Sequence, residues 1–65
     1  MTERELIARV DGTSGEGAGS VLLYRFGSEI EVVVTEEQGA DAVVFLSEKD
    51  AATLARALAR NLEKS

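Results

Sequence analysis

Two short segments of this chain are apolar without the alternation expected of a half-exposed strand. They are residues 21–24 (Val-Leu-Leu-Tyr) and 42–46 (Ala-Val-Val-Phe-Leu). A strand with one face in water alternates apolar and polar side chains, whereas a strand covered on both faces is apolar throughout. The only later segment able to cover a sheet is the amphipathic stretch 48–62, and one helix covers one face. The second face therefore needs another partner, and the simplest partner is a second copy of the chain.

The length of the chain points the same way. Its 65 residues predict a single domain over 1–65, and a chain of this size buries only roughly 60% of its unfolded surface. Domains this small usually need disulfides, a metal ion or oligomerisation. The chain contains no cysteine and no histidine, so disulfides, thiolate or imidazole metal sites and a histidine base are excluded. We therefore expect no metal, no cofactor and no enzymatic activity, and we predict a homodimer.

The charge pattern limits the kind of partner. The net charge is −5, with −6 in residues 1–46 and +1 in residues 47–65. An acidic chain repels nucleic acid and anionic membranes, so both are unexpected partners. No apolar run approaches the ~20 residues that a membrane span needs, and the charged N-terminus does not resemble a signal peptide. The sequence predicts a soluble cytoplasmic protein.

The hydropathy pattern predicts an α+β fold, a four-stranded antiparallel meander followed by one C-terminal amphipathic helix. In the first strand, alternation predicts that Leu6, Ala8 and Val10 share one face. The glycine-rich segment 11–20 predicts a long mobile loop. The predicted strands cover about residues 4–10, 21–26, 29–35 and 42–46, and the predicted helix covers about residues 48–63.

Gly27-Ser28 predicts a two-residue hairpin with a type II′ turn, in which glycine takes the position of positive φ. That turn fixes the register, and directly paired residues share a face of the sheet. One face is then a core set of Val21, Leu23, Ile30, Val32 and Val34, with Arg25 at its end. The opposite face carries Leu22, Tyr24, Phe26 and Val33, with Glu29 and Glu31 among them.

Ser47 is the predicted N-cap of the helix, accepting a hydrogen bond from the amide of Asp50. Residues at helical spacing form one apolar stripe, which predicts the side that packs on the sheet. A basic side of the helix is an alternative binding face. The stripe consists of Ala51, Leu54, Ala55, Leu58 and Leu62, and the basic side of Lys49, Arg56 and Arg60.

The mixed apolar and acidic face is the predicted interface, because exposed apolar patches usually mark interaction sites. Tyr24 is its predicted hot spot for self-association or partner binding. Glu29 and Glu31 favour a basic complement, either Arg4 and Arg9 of a sister chain or a basic protein partner. Two carboxylates are also compatible with acid–base chemistry or a hard cation, but nothing except Tyr24 converges on them, so rim charges are the simpler interpretation.

The order of four strands and a helix resembles PC4-like and PUR-type single-stranded nucleic-acid-binding domains. The residues that carry the resemblance are 43–47, which run directly into the helical segment 51–58. The same segment is similar to the ends of short actinobacterial and actinophage proteins. The resemblance implies the same topology, paired chains and a strand surface that holds single strands. A strand surface of that kind carries Lys, Arg and exposed aromatic side chains, whereas this one has glutamates beside its aromatics.

The function predicted from these observations is a small non-enzymatic homodimeric protein-interaction module. One alternative is an acidic inhibitor of phage type that mimics nucleic acid. Another is a PC4-like single-stranded nucleic-acid binder. Rows of carboxylates at near-phosphate intervals would favour the mimic, and salt-dependent oligonucleotide binding would favour the single-strand binder.

Overall fold

The hairpin at Gly27 sets the register of the two strands that it joins. The computed structural model describes residues 3–15, 17–37 and 41–63. Strands β2 (Gly17–Phe26) and β3 (Glu29–Glu36) pair antiparallel with Phe26 opposite Glu29, as the sequence predicts. Gly27 has a φ of 62°, and no described residue other than glycine has a positive φ. A type II′ turn requires positive φ only at its first central residue, so the predicted turn is confirmed.

Two more strands and a helix complete the predicted α+β arrangement. Strand β1 (Arg4–Ser14) pairs with β2, and β4 (Ala42–Ser47) pairs with β3, so the sheet order follows the chain order. Every neighbouring pair of strands is antiparallel. The helix α1 (Glu48–Glu63) follows β4 directly.

The glycine-rich segment is a hairpin rather than the predicted mobile loop. Strand β1 continues to Ser14 and β2 begins at Gly17, with Gly12 opposite Gly19. Small side chains do not hinder extended pairing, and polar side chains tie the two strands together. The Oδ1 atom of Asp11 accepts hydrogen bonds from Ser20 Oγ at 2.7 Å and from Arg9 Nε at 3.0 Å. Glu16 lies outside the described residues.

A β-bulge in β1 changes which of its side chains share a face, contrary to the prediction. Leu6 pairs with Tyr24 and Ala8 pairs with Leu23, so one extra residue stands between them. An extra residue shifts all later side chains to the other face. Leu6 therefore lies on the opposite face from Ala8 and Val10, and the predicted single face is wrong.

The register and the bulge together define two faces, which we name by the position of α1. The helix face carries α1, and the open face lies on the other side of the sheet. The helix face consists of Ala8, Val10, Val21, Leu23, Arg25, Ile30, Val32, Val34, Ala42, Val44 and Leu46. The open face includes Arg4, Leu6, Arg9, Asp11, Ser20, Leu22, Tyr24, Phe26, Glu29, Glu31, Val33, Val43 and Phe45.

Polar contacts fix the start of α1 at the sheet. The amide of Asp50 donates to Ser47 Oγ at 3.1 Å, which confirms the predicted N-cap. An N-cap of this kind satisfies one of the free amides of the first turn. Arg25 Nη1 reaches Glu48 Oε2 at 2.5 Å and ties the first residue of the helix to β2. The helix therefore begins immediately after β4 and turns back over the sheet.

The helix covers only part of the helix face. A gap of about 130 Å³ remains between helix and sheet. No apolar side chain among the described residues is buried, and Leu54, Leu58 and Leu62 of the predicted apolar stripe stay exposed. The gap is lined by Leu23, Ile30, Val32, Leu46, Ala51, Leu54, Ala55 and Leu58.

Candidate protein-interaction surface

The open face combines apolar side chains from all four strands. The hairpin places Leu22, Tyr24, Phe26 and Val33 there, as the sequence predicts. Leu6 joins them because of the bulge in β1. The β3–β4 register adds two further residues, with Val43 opposite Val33 and Phe45 opposite Glu31. Since α1 lies on the other side of the sheet, no element of the described chain covers this surface.

An intrachain ion pair lies at the centre of the open face. Arg4 Nη1 donates to Glu31 at 3.2 Å from Oε1 and 3.4 Å from Oε2. The guanidinium carbon of Arg4 lies 4.2 Å from the centroid of the Tyr24 ring, in cation–π geometry. Glu31 is 8% exposed and is the one buried residue among those described. Its basic partner therefore comes from the same chain, which corrects the expectation that Arg4 of a sister chain would meet this carboxylate.

This arrangement changes the chemistry of the centre of the surface. A buried carboxylate is costly unless it is paired and hydrogen-bonded. Arg4 meets both requirements. The centre of the open face is therefore close to neutral. It fits an apolar or aromatic partner better than the basic partner that two free glutamates would attract.

Two phenylalanines extend the apolar surface towards β4. The rings of Phe26 and Phe45 are edge-to-face, with centroids 6.1 Å apart and an interplanar angle of 65°. Such pairs contribute beyond the area that they bury. Both rings remain exposed, whereas Tyr24 is half-buried. The predicted hot spot Tyr24 is thus less accessible than Phe45, which the sequence alone did not place on this face.

The charges at the margin of the open face are also largely paired. Arg9, predicted to serve a sister chain, bonds its own Asp11. Hydrogen bonds from Ser20 and from Arg9 lower the pKa of Asp11 below its ordinary value, since both favour the ionised carboxylate. Glu29 is exposed, and no ion pair joins it to another described residue. Glu29 is therefore the carboxylate of this face that remains available to a basic group.

The alternative basic face is separate from the open face. Lys49, Arg56 and Arg60 are exposed on α1, and helical spacing places them opposite the apolar stripe. Arg56 Nη2 bonds Thr53 Oγ1 at 3.4 Å, and Thr53 Oγ1 bonds the carbonyl of Lys49 at 3.1 Å. This face therefore points away from the sheet. The structure does not bring the two predicted surfaces together.

Three of the described carboxylates are paired within the chain. Glu31, Asp11 and Glu48 are each engaged with an arginine. Within the described ranges, no group of three or more Asp and Glu side chains is placed to hold a metal ion.

A hollow of about 180 Å³ lies beside Gly12 and Gly19 on the helix side of the sheet, and its walls are mostly apolar. No described helix is both long and apolar enough to cross a bilayer.

Comparison with known proteins identifies no relative. The chain matches no protein-family model, no curated protein and no solved structure.

Proposed function

We propose that this protein is a small non-enzymatic, homodimeric protein-interaction module that presents its open face to a protein partner. The observation that carries the proposal is the missing core. Twelve large apolar side chains are exposed, and none is buried in the described part of the chain. Apolar burial is the main favourable term in folding, so a marginally stable domain with this many exposed apolar side chains needs a partner to cover them.

The accessible surface gives the size of the deficit. A folded monomer of 6.9 kDa is expected to expose about 4,000 Å². This chain exposes 5168 Å², an excess of about 1,200 Å² over that scaling. A standard interface buries about 800 Å² on each partner. The excess is therefore large enough for one interface, with surface left for part of a second.

The dimensions of the chain agree with this estimate. The radius of gyration is 13.1 Å, whereas a compact domain of 65 residues has about 10.7 Å. The principal extents are 35 × 33 × 15 Å, which describe a flat slab. A slab with apolar side chains on both faces resembles one half of a larger core, as a protomer of an obligate homodimer does.

The open face supplies the chemistry of an interaction surface. Aromatic side chains and arginine are the residue types enriched in interface centres. Here Arg4 lies against Tyr24 with its charge compensated by Glu31. The rings of Phe26 and Phe45 contact each other on the same face. A partner that docks on this surface buries aromatic area without first having to desolvate a free charge. We therefore propose an apolar or aromatic protein surface as the partner.

The homodimer is tested by sedimentation equilibrium across the micromolar range. The expected result is a species of twice the 6.9 kDa chain mass. A monodisperse, folded monomer at every concentration would contradict the proposal. Size-exclusion chromatography with light scattering gives an independent mass, which matters because a flat molecule elutes early.

The open face is tested by comparing matched variants in affinity capture from cells that contain the natural partner. A protein retained by wild type should be lost with Phe26→Ala or Tyr24→Ala, provided that circular dichroism and sedimentation show a folded dimer. The exposed basic variant Arg56→Ala serves as the control and should retain it. The opposite pattern would move the site to Lys49, Arg56 and Arg60 on the helix.

A further inference from the structure

We propose that the two copies meet along β4, pairing antiparallel edge to edge so that two four-stranded sheets become one continuous sheet. This inference rests on the proposed homodimer and assigns the surface that forms it. The strand order leaves β1 and β4 as the two edges of the sheet. Their composition and geometry differ in ways that decide which edge is open to another strand.

The β1 edge is protected against pairing. It carries Arg4, Glu5, Arg9 and Asp11 within its eleven residues. It also contains the bulge between Leu6 and Ala8. Charged side chains and bulges are the devices by which sheets prevent edge-to-edge association. A second chain that approached β1 would meet an irregular ladder and several charged side chains.

The β4 edge has none of this protection. Its six residues, Ala42–Ser47, include no charge and no proline. They pair with β3 without a register shift. Five of the six side chains are exposed. A regular, uncharged strand with a free row of amides and carbonyls is a template for another strand.

The helix face next to β4 is also incomplete. Val44 lies on the face that α1 covers, yet it is 56% exposed. Leu54 and Leu58 of α1 are exposed on the same side, and α1 contacts β3 and β4. Identical strands that pair antiparallel are related by a twofold axis perpendicular to the sheet. Such an axis places both helices on the same face, one on each side of Val44, where each covers the other's exposed leucines.

The alternation of side chains limits the possible registers. Directly opposed residues must share a face, so they lie an even number of positions apart along β4. The twofold axis lies at the midpoint of each such pair and therefore passes beside one residue of β4. The axis therefore lies at Val44 or at Phe45, near the centre of the strand. Both registers bring Phe45 of the two chains close together on the open face. The two open faces then form one apolar surface that is available to the partner.

Cysteine cross-linking tests the edge directly, because the chain contains no cysteine of its own. The full chain is prepared as Val44→Cys and as Phe45→Cys, with Val10→Cys as the matched control. Val10 occupies the β1 edge on the same face as Val44, and the two are similarly exposed at 61% and 56%. Val33→Cys reports a face-to-face dimer through the open face. Each variant is oxidised under identical conditions and analysed on a non-reducing gel.

The proposal predicts that Val44→Cys or Phe45→Cys forms a covalent dimer at least about tenfold faster than Val10→Cys, because opposed Cβ atoms near the axis lie within disulfide reach. Fast cross-linking of Val33→Cys alone would overturn the edge pairing but leave the homodimer intact. A dimer in sedimentation that cross-links at neither β4 position would also overturn it. A monomer in sedimentation would overturn the edge pairing and the proposed homodimer together.

Charge substitution gives a second measurement with the same matched positions. Val44→Lys places two ammonium groups near the axis, and opposed like charges oppose strand pairing. We expect the dimer dissociation constant to rise by about 100-fold or more, since juxtaposed like charges are strongly unfavourable at interfaces. Val10→Lys should leave it within about threefold, as expected of a charge remote from the contact. Equal effects at both positions, or a larger effect at Val10, would refute the assignment to β4.

Discussion

Removing Arg4 provides the sharpest test of the open-face geometry. Arg4→Met keeps most of the aliphatic volume but leaves Glu31 without its charged partner. The Glu31 side chain is 10% exposed, and that of Arg4 is 52% exposed. Exposed ion pairs contribute about 0.2–1 kcal/mol, whereas breaking a buried pair costs about 3–5 kcal/mol. With one partner buried and the other half in water, we expect a loss of about 1–2 kcal/mol.

The contact between Arg4 and Tyr24 adds to this loss. A cation 4.2 Å from the ring centroid contributes about 0.5–1 kcal/mol at a partly exposed site. The total for Arg4→Met is then about 2 kcal/mol in the free energy of unfolding. For a domain this small the urea slope is about 1 kcal/mol/M, so the midpoint should fall by about 2 M. Urea titrations must be run at one protein concentration, because unfolding of a dimer depends on concentration.

A double-mutant cycle isolates the pair. Glu31→Gln, Arg4→Met and the double variant should give a coupling energy of about 1–2 kcal/mol between positions 4 and 31. Arg9→Met is the matched control, since its partner Asp11 is exposed on the same strand, and it should destabilise far less. A coupling energy within error of zero would mean that Arg4 does not hold Glu31 in solution. The neutral centre assigned to the open face would then be wrong.

Three further substitutions test the local structure. Ser47→Ala removes the acceptor of the Asp50 amide and should lower the free energy of unfolding in urea by about 1 kcal/mol. An unchanged urea midpoint would refute the assignment of Ser47 as the N-cap. Gly27→Ala forces a φ of 62° on a residue with a Cβ and should cost about 1–2 kcal/mol, whereas equal stability would rule out the type II′ turn. Asp11→Asn should destabilise at neutral pH, because the pKa of Asp11 is lowered by the hydrogen bond from Ser20. That contribution is present above the unfolded pKa and disappears as the pH falls through the folded pKa. The two proteins should therefore converge in acid, and a difference independent of pH would refute the linkage.

Local signals in the sequence were sufficient for part of the fold. The two residues Gly27 and Ser28 determine a turn and the register of the strands on either side of it. Ser47 with Asp50 marks the start of a helix. Each signal depends on neighbouring residues whose geometry is nearly independent of the rest of the chain. The prediction of four strands and one helix succeeded because these signals separate segments with clear apolar patterns.

The remaining errors concern interactions between distant segments. The bulge at Leu6 and Ala8 has no signature in the sequence, since an extra residue is apparent only when β1 pairs with β2. The glycine-rich hairpin was predicted as a loop because glycine content alone does not reveal cross-strand pairing of Gly12 with Gly19. Its two strands are also joined by the hydrogen bond from Ser20 to Asp11.

The same limit applies to the open face. Its β2 and β3 residues follow from the hairpin, but Phe45 and Val43 depend on the β3–β4 register. No two-residue turn signal like Gly27-Ser28 stands between those strands in the sequence, and residues 38–40 lie outside the described ranges. The pairing of Arg4 with Glu31 spans 27 positions and requires the bulge. Sequence reasoning therefore found the apolar character of the surface but not its neutral centre.

Folding and assembly of this chain are best understood as one equilibrium. No described apolar side chain is fully buried, so part of the free energy that normally offsets the entropy of ordering the chain is missing from an isolated protomer. A second copy at the β4 edge would supply part of it by covering Val44 and the exposed leucines of α1. The open face would remain uncovered and would gain further stability only from its partner. Under this scheme dilution unfolds the protein rather than releasing a stable monomer, and its thermal midpoint rises with protein concentration.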